Sequence, residues 1–335
     1  MSAPTRPVAP PGRRRLGSVE LFVAVLVGAL VLRVLGVDPT ATPRLRVAAT
    51  VFVAVCVQAL PFLVLGVLLS GVLAAFVSPA VLRRVLPARP GLAVPVAAAA
   101  GIVLPGCECA SVPVARRLVG QGVPEGAALA FLLAAPAVNP VVLVATAVAF
   151  PGHPEMVPAR FLGSALTAVA MGWLWTRFGR PEWMAAHVRR PVPRAPGTSR
   201  RAVFAATARH DLVDAAGFLV LGAIAAAALT VVVPESWTRG LAGSVVLAVA
   251  VLAVLAVVLA LCSEADAFVA ASLSALPLLP RLVFLVVGPA VDVKLIALQA
   301  GTFGRAFAAR FAPLTFAVAL ASALAAGLVV FGGAG

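Results

Sequence analysis

Two short stretches of the sequence bring thiol and carboxyl groups together. The first is Cys-Glu-Cys at 107–109, and the second is Cys-Ser-Glu-Ala-Asp at 262–266. Thiolates are soft ligands for zinc and metalloids, and carboxylates can exchange protons with a substrate. A Cys-x-Cys pair alone is a weak metal signal, because residues i and i+2 of a continuous helix face apart. A Pro-Gly pair at 105–106 breaks any helix there and removes that objection. The candidate metal ligands are Cys107, Cys109 and Cys262.

A second group of polar residues lies in segments that are otherwise apolar. Asn139 precedes a proline, and Asp292 and Lys294 stand in a run of aliphatic residues. Lys294 is the only lysine beside 25 arginines, and lysine can lose its proton when desolvated whereas arginine cannot. We interpret Lys294 as an internal counter-charge for Glu264 or Asp266. Asp292 is expected to be a poor partner while the segment is helical, because i and i+2 face apart on a helix.

These residues together form the candidate substrate and proton pathway, because ionisable groups at membrane depth are costly and usually functional. Each type also has a plainer interpretation. A buried cysteine can be a small hydrophobe, the serine and acids of 263–266 can cap a helix, and the asparagine can satisfy backbone groups at a helix break. The candidate pathway residues are Cys107, Glu108, Cys109, Asn139, Cys262, Ser263, Glu264, Asp266, Asp292 and Lys294.

The composition is that of a membrane protein. Of 335 residues, 62% are hydrophobic and 11% charged, and apolar runs of spanning length recur along the chain. The net charge of +14 lies in short loops between those runs, so it indicates topology and not nucleic-acid binding. The sequence has no HExxH motif, no phosphate-binding loop and no serine-hydrolase elbow. We therefore expect no enzyme, no cofactor and no ATP-driven pump, and we expect as partners the lipid bilayer and a small-molecule or ion substrate.

The sequence contains two similar halves. Residues 58–79 and 214–234 share the string FLVLG, and the two cysteine motifs begin at 107 and 262. The segments at 130–143 and 283–296 align as well, which places Asn139 opposite Asp292. Three matches in the same order predict an internal repeat.

The arginines predict how the halves are oriented. With the N-terminus in the cytoplasm, 19 of the 25 arginines fall on the inside if each hairpin, 91–106 with 107–119 in the first half, returns to its own side. Segments 107–119 and 263–275 are too short to span, so each hairpin either re-enters or crosses twice. We expect an all-α polytopic fold of two inverted repeats, an arrangement typical of secondary transporters. The expected divisions are a disordered cytoplasmic tail (1–18), an N-terminal transmembrane helix (19–37), repeat 1 (47–178), a basic cytoplasmic linker (179–211) and repeat 2 (212–333). The run at 19–37 is interpreted as a helix and not as a signal peptide, because no convincing small-residue cleavage site follows it.

Four stretches resemble the bacterial predicted-permease family that includes organoarsenical efflux permeases (ArsP-like, YraQ-like), namely PGCECASVPVARRLVGQGVP, FLLAAPAVNPVVL, LCSEADAFVAASL and VFLVVGPAVDVKLIAL. The resemblance covers roughly 47–333 and implies a multi-pass permease of the bacterial cytoplasmic membrane. For some members it implies export of trivalent arsenicals by membrane-embedded thiols. The residues at family motif positions are Cys107, Glu108, Cys109, Pro113, Asn139, Pro140, Cys262, Ser263, Glu264, Asp266, Asp292 and Lys294.

The sequence thus predicts a secondary transporter that exports a soft, thiol-reactive metalloid or metal species. In this hypothesis the cysteines bind the species, and Glu108, Glu264 or Asp266 exchanges protons. Two alternatives remain open, which are a membrane-embedded thiol redox or assembly factor and a carrier of an unrelated small solute.

Overall fold

The computed structural model describes residues 43–76, 87, 89–103, 108–189, 199–232, 244–263, 265–274 and 276–332. The predicted tail at 1–18 and the predicted helix at 19–37 lie outside these residues. So do Cys107 and Glu264, and for Glu108 and Cys109 the structure describes the backbone alone. Within the described residues the chain is all helical, with no β-strand.

The first half is built from six helices. A proline starts three of them, where its missing N–H costs no hydrogen bond. The helices are α1 (Pro43–Phe76), α2 (Pro90–Val103), α3 (Glu108–Gly120), α4 (Glu125–Ala134), α5 (Pro140–Ala149) and α6 (Met156–Phe178).

The second half follows a short 3-10 turn (Pro181–Trp183) and α7 (Ala186–Arg189), and it shows the same order of long and short helices. Its helices are α8 (Arg200–Val232), α9 (Val245–Leu259), α10 (Ala265–Ser272), α11 (Leu278–Ala290), α12 (Val293–Thr302) and α13 (Arg305–Phe331). Each half therefore begins and ends with a long helix. Between these lie two pairs of shorter helices, and the first pair is interrupted before or within the cysteine motif.

Helix lengths fit a bilayer. Within the described residues, three segments are long and apolar enough to cross a membrane, namely Met156–Phe178, Leu278–Thr302 and Arg305–Phe331. The middle one consists of α11 and α12, which are divided at Val291 and Asp292. Large apolar side chains on outer faces are exposed, as in Val246, Leu328 and Val329, each at least 70% exposed. Such faces suit lipid contact.

The halves contact each other through corresponding elements. The long helices α1 and α8 pack together, and so do α6 and α13. Helix α5 of the first half contacts α10 of the second, and α12 of the second half contacts α3 of the first. Helices α4 and α6 approach closely at Gly126 and Gly172, where a Cβ on either glycine would meet the other's carbonyl oxygen. Small residues at such crossings are typical of helix packing in membranes.

The described part of the predicted linker at 179–211 is packed and partly helical. The backbone N–H of Ala185 donates to the carbonyl of Phe303 at 2.8 Å. The Trp183 ring lies 5.9 Å from that of Trp175 in an edge-on contact, and the Arg310 guanidinium lies 5.1 Å from the Trp183 ring. Helix α8 starts at Arg200, within the range that composition assigned to the linker.

Candidate functional site at the helix breaks

Asn139 and Asp292 cap the helices that follow the two corresponding breaks. Both residues have extended backbones and are almost fully buried, at 1% and 0% exposure. The Asn139 Oδ1 accepts from the N–H of Val142 at 3.0 Å, and the Asp292 Oδ1 accepts from the N–H of Leu295. The Asn139 Nδ2 also donates to the Ala135 carbonyl at 2.9 Å, so this side chain joins both sides of its break. The Asn139 side chain therefore makes hydrogen bonds to backbone groups at the helix break, as its plainer interpretation predicts.

Lys294 is buried beside Asp292. Its Nζ lies 3.5 Å from the Asp292 Oδ2, and both side chains are at most 1% exposed. Asp292 was expected to be a poor partner only while the segment is helical, and that condition does not hold, because Asp292 precedes helix α12 and has an extended backbone. Asp292 therefore has two roles, since it caps helix α12 and provides a negative charge beside Lys294.

Lys294 also reaches the other break of its own half. Its Nζ donates to the carbonyl of Ala260 at 3.4 Å. Ala260 ends helix α9 with φ 47° and ψ 44°, a left-handed conformation that costs a residue with a Cβ about 1–2 kcal/mol. Strain of this kind persists where the surrounding structure holds it, and it clusters at functional sites. The contact ties the strained end of α9 to the start of α12.

Arg160 is a site residue that sequence reasoning missed. It is 0% exposed and lies in the second turn of α6. Its Nη2 donates to Asp266 Oδ1 at 2.9 Å, to Asp266 Oδ2 at 3.1 Å and to the Ser263 carbonyl at 2.9 Å. Its Nη1 donates to the Thr146 hydroxyl at 2.8 Å. Arg160 therefore joins α5 and α6 of the first half to the cysteine motif of the second.

The arginine count from the sequence leaves six arginines on the outside of the membrane, Arg160 and Arg281 among them. Both side chains are buried in the structure, at 0% and 7% exposure. One signal in the sequence could have identified Arg160, namely that it lies inside the apolar span, four residues after its start at Met156. Its acidic partner is distant in sequence, so spacing alone could not identify the pair.

The break at 260–266 is thus held from two directions. Lys294 binds its first residue, Ala260, and Arg160 binds Ser263 and Asp266 near its end. Cys262 lies between these anchors and is 3% exposed. Its carbonyl accepts from the N–H groups of Ala265 and Asp266 at 2.9 and 3.0 Å, which starts α10 and places Asp266 in the first turn as expected.

The predicted thiol set is only partly within the described chain. The described residues contain no group of three or more His, Cys, Asp or Glu side chains that could hold a metal ion. Cys107 lies outside them, as do the side chains of Cys109 and Glu108. A ligand set of Cys107, Cys109 and Cys262 therefore stays a prediction. Helix α3, which begins at Glu108, contacts α12, the helix that carries Lys294.

A family model described as predicted permease matches residues 44–329. This chain belongs to the predicted-permease family. As a permease it is a membrane protein of a transporter family, which confirms the resemblance seen in the motifs.

Two relatives support the assignment. The permease is 34% identical to the UPF0718 protein YcgR of Bacillus subtilis (strain 168) over 288 residues, which cover 84% of this chain and 96% of the relative. It is 31% identical over 267 residues to a Streptococcus mutans serotype c protein named putative two-component membrane permease complex subunit, covering 78% and 88%. No solved structure matches the chain significantly.

Proposed function

We propose that this permease is a secondary transporter whose substrate pathway runs along the helix breaks. The observation that carries the proposal is the anchoring of 260–266 by two buried cations, Lys294 from its own half and Arg160 from the other. Buried ion pairs contribute little net stability compared with apolar packing, so four charged groups at membrane depth call for a functional explanation. Broken helices that meet inside a bundle are the sites where transporters bind ions and solutes.

The proposed cargo is a soft, thiol-reactive metalloid or metal species that is exported from the cytoplasm. Cys262 supports this, because its side chain is buried and it belongs to a break, between two residues, Ala260 and Ser263, whose carbonyl groups bind Lys294 and Arg160. Cys107 and Cys109 are proposed to complete the thiol set from the corresponding position of the first half. Soft cations and trivalent metalloids prefer such sulfur ligands.

Proton exchange is proposed to drive transport. Glu108, Glu264 and Asp266 are the candidate carriers, and Asp266 forms an ion pair with Arg160. Protonation of Asp266 would remove the charge that holds Arg160, which would release α10 from α5 and α6. Lys294 is proposed to change partner in the same step.

The proposed motion is a rocking of two inverted repeats against each other. It is supported by the exchanged contacts of α5 with α10 and of α12 with α3, which are those expected of two copies related by an approximate two-fold axis. An axis lying in the membrane plane would make the repeats inverted, as the distribution of arginines predicts.

The test is a transport screen of the full-length chain in proteoliposomes and in everted membrane vesicles. Arsenite, methylated arsenite, antimonite, zinc and a set of organic solutes are supplied, with and without a pH gradient. The proposal predicts gradient-dependent uptake of at least one soft species by the wild type, and none by Lys294→Met inserted in equal amount. Equal uptake of every soft species by the wild type and Lys294→Met would contradict it. Because a relative is named a complex subunit, the vesicle arm retains any native partner.

A further inference from the structure

Arg281 is a second buried arginine, apart from the helix breaks. It lies in the first turn of α11 and is 7% exposed. Its guanidinium carbon lies 5.6 Å from the centroid of the Phe150 ring, and its Nε has no hydrogen-bond partner in the described chain. Burying a guanidinium with an unmade hydrogen bond costs free energy unless a counter-charge is present.

The acids at the helices that contact α11, Asp266 and Glu155, pair with other residues. Phe150 follows the last turn of α5, and Thr146 in that turn accepts a hydrogen bond from Arg160. Asp266 binds Arg160, and Glu155 at the start of α6 pairs with His153 at 3.0 Å. Among the described residues, no carboxylate lies within ion-pair distance of Arg281. The Phe150 ring offsets part of the charge but makes no N–H bond.

The N-terminus of helix α11, where Arg281 lies, adds a partial positive charge to that of the arginine, so an anion would be favourable there. A helix N-terminus has a partial positive charge, so a cation in the first turn is unfavourable there. The first turn of α11 contains no acid, and its N-cap residue, Pro277, supplies no side-chain cap. The backbone N–H groups of Leu278 and Leu279 have no acceptor within the helix, because they belong to its first residues. Arg281 stands in the same first turn as these N–H groups, and helical side chains tilt toward the N-terminus.

We propose that Arg281 and the first turn of α11 bind an oxyanion group of the phosphate type. Backbone N–H groups at a helix start together with an arginine fork are the donors that phosphate groups prefer. The neighbouring loop at 151–154 is exposed, so the site lies at an exposed end of the bundle. Both a phospholipid headgroup and a soluble oxyanion can supply this chemistry at such a position.

The test uses the full-length chain, delipidated in a neutral detergent, and follows thermal unfolding by tryptophan fluorescence. One arm compares sodium phosphate with sodium chloride at equal ionic strength and pH. The other compares dioctanoyl phosphatidylglycerol with dioctanoylglycerol, which lacks the phosphate. We expect the Tm of the wild type to rise in at least one arm, and the arm that responds identifies the source of the oxyanion.

Variants assign the rise to the site. Arg281→Met should abolish it, and Arg281→Gln serves the same purpose if the methionine variant does not fold. Arg310→Met removes an exposed arginine of α13 and should keep the full rise. The proposal is overturned if the wild type responds in neither arm, or if either Arg281 variant responds as the wild type does. A negative result would leave the transport proposal intact, because that proposal rests on the helix breaks.

Discussion

Arg160 and Asp266 are separated by 106 residues, yet the arginine Nη2 lies 2.9 Å from one carboxylate oxygen and 3.1 Å from the other. Their side chains are 0% and 3% exposed. The pair joins the last long helix of the first half to the cysteine motif of the second, so a change in its protonation or partner acts on both halves.

Removing one member of this pair should destabilise the protein more than removing both. Arg160→Met or Asp266→Asn leaves a buried charge without its partner, which costs about 3–5 kcal/mol, whereas the double variant should recover most of that loss. Unfolding in detergent measures the coupling in a double-mutant cycle. Transport should be lost in all three variants, and Arg310→Met is the exposed control. Singles as stable as the wild type would contradict the ion pair.

Lys294 should be required as a lysine and not only as a positive charge. Lys294→Arg keeps the charge, but the guanidinium cannot lose its proton and is bulkier than the ammonium that contacts Asp292 and Ala260. We expect the initial transport rate to fall at least about tenfold, which corresponds to about 1.4 kcal/mol, with insertion unchanged. Rates from pH 6 to 8 provide the measurement. Full activity of Lys294→Arg across this range would mean that a fixed charge is sufficient.

The strained conformation of Ala260 gives a prediction with opposite signs for two substitutions. Ala260→Gly removes the Cβ that disfavours the left-handed region, and it should unfold at the same temperature as the wild type or higher. Ala260→Val adds a β-branched side chain at the same φ, and it should lower stability by about 1–3 kcal/mol. Thermal unfolding of both variants checks the sign. A lower Tm for glycine than for valine would show that no strain is held there.

Cys262 and Cys56 are the two cysteines whose side chains the structure describes, and they serve as test and control for the thiol hypothesis. Cys262 is buried at the break, whereas Cys56 lies on the regular helix α1. Cys262→Ser should abolish transport of the soft species, because the hydroxyl is a poor ligand for soft ions. Cys56→Ser should transport at the wild-type rate. If Cys262→Ser transports normally, the cargo does not bind through this thiol, and a disulfide trap would then test the redox alternative.

The sequence predicted the positions of the divisions better than the contacts across them. Helix α3 begins at Glu108, where a start at 107 was expected, and α10 covers 265–272 of the expected 263–275. The residues aligned in the repeat, Asn139 and Asp292, do cap corresponding helices. Proline, glycine and repeat register are local signals, so they can be read directly from the chain.

The contacts depend on backbone directions that local signals do not contain. The Asp292–Lys294 pair was missed because helical geometry was assumed at residue 292, which has an extended backbone. Arg160 was missed because an arginine near the end of an apolar run has the same local pattern as a loop arginine. Its burial depends on an aspartate from the other half. The orientation of the repeats and the predicted thiol set remain predictions.

The most direct test of the central claim is substrate protection of Cys262 in membranes. N-ethylmaleimide labelling of the wild type is followed at each cysteine by peptide mass spectrometry, with and without the soft species that the transport screen identifies. If 260–266 lines the pathway, the substrate should slow labelling of Cys262 severalfold and leave Cys56 unchanged. Transport that proceeds while the substrate leaves the labelling rate of Cys262 unaltered would contradict the account.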